Sequence, residues 1–158
     1  MAPTEATTVL YGGLGTLPAF NPDDDGEPLN PIVADLRRQI AHADAVLICT
    51  PEYAGALPGS FKNLLDWTVG GAEMYDTPTA WINVAVEGRG INAHASLATV
   101  LGYLSAAVIE SACRRVPVAR DTIGPDGLIT DGDTRERIGE VLRAIVDYTQ
   151  VLPGRGQD

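Results

Sequence analysis

Chemistry in this chain concentrates in two short loops. The first, Pro51-Glu52-Tyr53-Ala54-Gly55, opens the segment PEYAGALPGSFKNLLDW at 51–67. A tyrosine with flanking backbone N–H groups offers a flat apolar platform together with hydrogen-bond donors for the edge of a planar ring. The second loop is Glu87-Gly88-Arg89-Gly90, whose two glycines allow a backbone to approach a ligand closely. No acid–base pair and no nucleophile constellation accompanies them, so no side chain is assigned a catalytic role.

Other reactive residues stand alone. His42 and His94 lack carboxylate or cysteine partners at ligand spacing, and Asp23-Asp24-Asp25 lacks the alternation and distal glutamate of a calcium loop. No metal site is expected. Cys49 and Cys113 sit in the apolar contexts AVLICT and IESACRR, which predicts buried, reduced thiols. Lys62, the only lysine, is expected on a helix surface beside a carboxylate. Helical spacing explains Phe61, Leu64, Leu65 and Trp67 as core or subunit contact. The glycines of GGLG at 12–15 lead into TLPAFNP instead of a helix, so they make no phosphate loop.

The elements that must hold the two loops alternate along the chain. TTVLY at 7–11 predicts a short strand, and a Gly- and Pro-rich loop follows to position 31. Asn30 as N-cap, Pro31 at the first helical position and the stripe Ile32, Val33, Leu36, Ile40 predict a helix ending near 41–43. AVLICT at 45–50 predicts a strand buried on both faces. A helix starts at Pro58, turns Phe61, Leu64, Leu65 and Thr68 inward, and stops at Gly70-Gly71. TAWINVAV at 79–86 predicts a third strand, 92–104 a helix, and 106–118 further strand. Asp133 and Glu136 make a capping-box-like start to a last helix with Ile138, Val141, Leu142 and Ile145 inward. Apolar strands alternating with helices predict a doubly wound parallel sheet, three layers α/β/α, as one domain over 1–158. Ligands in such folds bind beyond the carboxyl ends of the strands, where 51–57 and 87–91 lie.

Composition narrows the classes further. The chain has 158 residues, 45% hydrophobic and 20% charged, which suits one soluble domain. Acids outnumber bases 21 to 11 for a net charge of −10, and only Arg37-Arg38 and Arg114-Arg115 are adjacent bases. Such a chain has no basic face for nucleic acid and is repelled by anionic membranes. The N-terminus lacks a leader pattern and no apolar run approaches the roughly 18 residues of a membrane span, so a cytoplasmic location is expected.

The segment at 51–67 resembles the P-E-Y-x-x-x-x-P-G-x-[LF]-K-N-x-[LI]-D-W signature of the NADPH-dependent FMN reductase family of flavodoxin-like proteins. A looser likeness extends from LYGGLGTLPAFNPD through the C-terminal helix. The resemblance implies a flavodoxin-like fold with FMN as cofactor and NADPH, with NADH as the alternative, as hydride donor. Electrons then pass to a small-molecule acceptor: a quinone, a nitro or azo compound, or a metal oxyanion. It also implies that Pro51, Glu52, Tyr53, Ala54 and Gly55 contact the isoalloxazine, and that Glu87, Gly88, Arg89 and Gly90 form a second flavin-facing loop. Arg89 would approach either the ring or the phosphates of the nicotinamide dinucleotide. The family usually has Asn where this chain has Ala54. A homodimer or homotetramer is implied, with Phe61 and Trp67 supplying its apolar centre. The flavin carries the chemistry in this scheme, and the protein stacks it and sets its polarity.

Proteins of this family typically begin with a strand, a G-S-x-R-x-x-S-x-N loop that wraps the FMN phosphate, and a helix. No such segment is present here. TTVLYGG matches the family's second strand, MAPTEA falls at the end of the preceding helix, and the first β-α unit is missing, an N-terminal truncation. In the strand order 2-1-3-4-5 this removes a central strand. One expectation is that 7–11 moves into the vacant place beside 45–50, which a right-handed crossover permits. Another is that Met1 is internal to a longer chain. The rival functional reading is a non-catalytic or truncated homologue that keeps the fold and a self-association surface but binds flavin weakly or not at all.

Overall fold

The structure, a computed structural model, describes residues 3–86 and 88–151. Helices α1 (Pro31–Ala41), α2 (Gly59–Asp66), α3 (Ile91–Tyr103) and α4 (Gly132–Val151) alternate with strands β1 (Val46–Cys49), β2 (Pro78–Asn83), β3 (Ala107–Val108) and β4 (Arg114–Arg115). Every ladder is parallel. β1 pairs with residues 79–82, β3 with 78–79 and β4 with 82–83, so β3 and β4 are two halves of one path along β2. A 3-10 turn at Glu110–Ala112 separates them. This is the parallel α/β sheet that the alternation predicts.

Two clusters of buried residues lie on its two faces. Val33, Leu36 and Ile40 of α1, Ile48 of β1, Leu65 of α2, and Leu97 and Leu101 of α3 form one. Ala80, Ile82, Ile109 and Val116 form the other against Val141, with Ile138 and Ile145 of α4 packed beside them. Three helices thus cover one side of the sheet and α4 the other. No helix among the described residues is long and apolar enough to cross a membrane.

Local signals set most helix ends. The Asn30 side chain accepts from the Ile32 N–H at 2.9 Å and Pro31 takes the first position of α1. The inward stripe is Val33, Leu36 and Ile40, and Ile32, expected on it, is exposed. Lys62 pairs with Asp66 along the surface of α2, as expected. The last helix is capped two residues earlier than the sequence pattern indicates. Asp131 accepts from the Thr134 N–H at 2.8 Å, which puts the cap at 131 and leaves Asp133 inside the first turn.

The N-terminal segment departs from expectation. Residues 7–11 form no strand, and Val9 and Leu10 are 80% and 94% exposed. Residues 3–6 make a turn, with Ala6 N–H donating to Pro3 C=O at 3.1 Å, where the end of a helix was expected. Nor does 7–11 lie beside 45–50, because the only ladder of β1 among the described residues is with β2. The following chain is pinned elsewhere. Asn63 Nδ2 and Trp67 Nε1 both donate to Pro18 C=O at 2.9 Å, Phe20 N–H donates to Asn63 Oδ1 at 2.7 Å, and the Phe20 ring stands edge-on to Trp67 at 5.0 Å. Arg37 adds a half-buried tie, donating to Trp67 C=O at 2.8 Å and to Asp25 Oδ1 at 2.6 Å. These bonds fasten residues 18–25 to α1 and α2, and Tyr11 packs on the same cluster.

β1 is therefore a sheet edge. Its burial alternates, with Leu47 and Cys49 exposed, which corrects both the strand buried on two faces and the buried thiol at 49. Cys113 is half-buried, and both thiols are free. Trp67 is 1% exposed and belongs to the core, so it cannot be the centre of a subunit contact.

Replacing Asn63 with Ala removes two bonds that hold the 18–20 segment and leaves the Phe20 N–H without its partner. The Asn63→Ala variant is expected to lose about 2 kcal/mol of stability in urea denaturation and to be cleaved by broad-specificity proteases between residues 12 and 30 sooner than the parent. An unchanged midpoint and cleavage rate would contradict this account of the segment.

Candidate functional site

The first loop is a tight hairpin turn. Tyr53 N–H donates to Ala56 C=O at 3.1 Å and Ala56 N–H returns the bond at 3.0 Å. The two residues at its tip, Ala54 and Gly55, have φ of 51° and 73°, the paired positive values of a type I′ turn. Glycine adopts this without cost, whereas alanine is strained there by its Cβ. The Tyr53 ring is 65% exposed, and Pro51 is exposed too. The N–H groups of Ala54 and Gly55 make no hydrogen bond to any of the described residues. A flat ring beside two open donors is what this turn presents.

Glu52 points the other way. Its Oε2 accepts from the N–H groups of Asn92 and Ala93 at 2.8 and 3.0 Å. The residue at the N-cap of α3, Gly90, has no side chain to cap it, so Glu52 satisfies two of the helix's orphan donors and places a negative charge at its positive end. The carboxylate thereby ties the first loop to the second.

The second loop is fixed from below by Asn83, which sequence reasoning missed. At 2% exposure, Asn83 ends β2, accepts from Ala85 N–H at 2.9 Å and donates to Gly90 C=O at 3.4 Å. A Cβ at Gly90 would lie 2.6 Å from its Nδ2, and Gly90 has φ of 77°, so only glycine fits. The signal was one amide within the apolar run TAWINVAV. Gly88 also has a positive φ, 80°. The Arg89 side chain is exposed while its N–H donates to Val86 C=O at 3.1 Å. Glu87 lies outside the described residues.

Behind the second loop, the His94 ring stands edge-on to Trp81 at 4.0 Å, and neither ring nitrogen has a hydrogen-bond partner although both are buried. Burial holds its pKa below the ordinary 6.5, the Arg115 charge pushes the same way, and Glu52 opposes them. His94 is thus a neutral packing group. Two concavities of about 380 and 430 Å³ lie near Tyr11 and near Pro18, and no residue of either loop lines them. The candidate site is an open shelf. No group of three or more His, Cys, Asp or Glu among the described residues comes together as metal ligands.

A family model described as NADPH-dependent FMN reductase matches residues 2–119. An NADPH azoreductase of Bacillus sp. strain OY1-2 is 40% identical over 53% of this chain, and the match spans 49% of that enzyme's length. A 2-hydroxy-1,4-benzoquinone reductase of a Burkholderia species is 32% identical over 78% of this chain and 69% of its own. Among solved structures, the flavoenzyme NAD(P)H:(acceptor) oxidoreductase FerB from Paracoccus denitrificans superposes with a TM-score of 0.73 at 29% identity, covering 87% of this chain and 77% of that one.

The turn and the histidine each give a test. Asparagine tolerates positive φ better than alanine, so Ala54→Asn is expected to raise stability by about 0.5–1 kcal/mol in urea denaturation; a loss would show that 54 is not strained. For His94, a depressed folded-state pKa means that the stabilisation is present above about pH 6.5 and is lost as pH falls below it. The melting temperature should therefore drop between pH 7.5 and 5.5, and His94→Phe should lessen that drop. Parallel pH curves for parent and variant would sink this assignment.

Proposed function

The chain belongs to the NADPH-dependent FMN reductase family, and from that premise we propose that it is an NAD(P)H-dependent reductase working through FMN held between its two loops. FMN bound there supplies the redox chemistry, accepting hydride from NADPH, or from NADH, and passing it to a quinone, a nitro or azo compound, or a metal oxyanion. The observation that carries this reading is the exposed Tyr53 ring beside the unpaired N–H groups of Ala54 and Gly55. Tyr53 offers the stacking surface, and the two N–H groups suit the carbonyl and ring-nitrogen edge of a flavin. In this reading Pro51, Glu52, Tyr53, Ala54 and Gly55 would meet the ring from the first loop, and Gly88, Arg89 and Gly90 from the second. Glu52 keeps the two loops in register through α3, and exposed Val86 and Ile91 provide an apolar rim that displaces water from a bound ring.

We place the enzyme in the cytoplasm, where nicotinamide donors are found, as a homodimer or homotetramer. With Trp67 buried, its contact would centre on Val69 and Tyr75, both 60% exposed just beyond α2. A second reading, a chain that keeps the fold but binds flavin weakly, is favoured by one observation. Leu14–Thr16 form a single 3-10 turn that opens no helix, and at the glycine-bearing turn that does open one, 88–90, the N–H groups of Asn92 and Ala93 are already taken by Glu52.

The test is direct. Purified protein is expected to quench the fluorescence of added FMN and to oxidise NADPH with a quinone acceptor. Tyr53→Ala should weaken flavin binding about tenfold with little change in melting temperature, since the ring is exposed. Neither quenching nor turnover would overturn the first reading. Riboflavin binding as well as FMN, and weakly, would favour the second.

A further inference from the structure

We propose that Arg89, Arg115 and Arg137 form a phosphate-reading ladder on which the anionic part of the nicotinamide dinucleotide docks; this rests on the reading of the site given above. Arg115 Nη2 donates to Arg89 C=O at 3.1 Å, and Arg137 Nη2 donates to Arg115 C=O at 2.7 Å. Each tie fixes a guanidinium through a neutral carbonyl, which positions the group without cancelling its charge. All three residues are exposed, and none has an ion-pair partner among the described residues. Arg114, Arg120, Arg135 and Arg143 are likewise without an ion pair among the described residues; what sets Arg115 and Arg137 apart is that each guanidinium is tied to the carbonyl of a residue more than twenty positions away.

Acids outnumber bases 21 to 11 in this chain. Carboxylates are plentiful, and Asp133 and Glu140 sit one turn either side of Arg137 on α4, yet both remain beyond ion-pair distance. The three arginines keep their remaining N–H donors open, as bidentate recognition of a phosphate requires.

Position favours the same ligand. Arg89 belongs to the second loop itself, and Arg115 stands in register with Asn83, whose amide holds that loop. The ladder therefore starts at the proposed ring site and leads away from it over the end of β4 to α4. The Arg115 charge also reaches His94, the imidazole that feels Glu52 from the first loop. A dinucleotide with its nicotinamide at the shelf has two anionic groups to place farther off: the pyrophosphate, present in both donors, and the adenosine 2′-phosphate, present only in NADPH.

The test is calorimetric titration of the purified protein with 2′,5′-ADP and with ADP, beside FMN quenching and NADPH kinetics. The parent is expected to bind at least one of the two nucleotides. Arg115→Gln and Arg137→Gln should each weaken that binding about ten- to hundredfold and raise KM for NADPH with kcat nearly unchanged, whereas Arg137→Lys should recover part of the loss and Arg120→Gln, off the ladder, should change nothing. A larger loss for 2′,5′-ADP identifies the 2′-phosphate as the group read; equal losses identify the pyrophosphate. Nucleotide binding that is the same in parent and glutamine variants, or absent from a parent that quenches FMN, overturns the proposal. Nucleotide binding that depends on the ladder in a protein that fails to quench FMN would overturn the flavin reading and leave the anion site standing.

Discussion

Every hydrogen-bonded ladder in the sheet is made by β2. β1 lies along one side of it, and β3 and β4 share the other. A strand paired on both sides and packed on both faces has no water to satisfy a polar group, so the amide of Asn83 at its carboxyl end must find partners within the protein. It finds them in the main chain of the loop that follows, at Ala85 and Gly90. The same strand end sets Arg115 opposite Asn83. The shape of the second loop and the placing of the arginines thus descend from one buried strand.

The first loop is joined to that arrangement by a charge. α3 starts at a glycine in the left-handed region, which makes the turn and leaves the helix uncapped. Glu52 supplies what Gly90 lacks, from 40 residues away. A carboxylate at this end gains from the aligned peptide dipoles as well as from its two short bonds, so the tie is stronger than a contact between two surface loops. With Glu52 engaged by the helix, Tyr53 and the N–H groups next to it are left facing solvent.

Much of this was legible in the chain. The start of α1 followed from Asn30-Pro31, the pairing of Lys62 with a carboxylate from its place on a helix surface, and the two loops from the signature at 51–67 and the glycines at 88 and 90, because each depends on neighbours within a few residues. What was not legible depends on distant partners. TTVLY has the composition of a strand, but a strand exists only where a second one bonds to it, and residues 18–25 are held to α1 and α2 by Asn63, Trp67 and Arg37. The link from Glu52 to α3 and that from Arg115 to Arg89 span 40 and 26 residues, and no local pattern announces either. The cap at Asp131 was misplaced by two residues since Asp131 and Asp133 both suit a helix start, and only the bond to Thr134 decides between them.

The outer rim of β1 has a dynamic consequence. Its peptide groups on that side rely on water, and two of its four side chains, Leu47 and Cys49, stay partly open to solvent when the strand docks. β2 is clamped from both flanks and β1 from one. Opening the sheet therefore proceeds from the rim inward: amides of β1 exchange with deuterium through small local excursions, while those of β2 wait for the whole domain to come apart. The exposed Cys49 thiol sits on the part that peels first, so a bulky group attached there would load the weakest margin of the sheet and leave the core untouched.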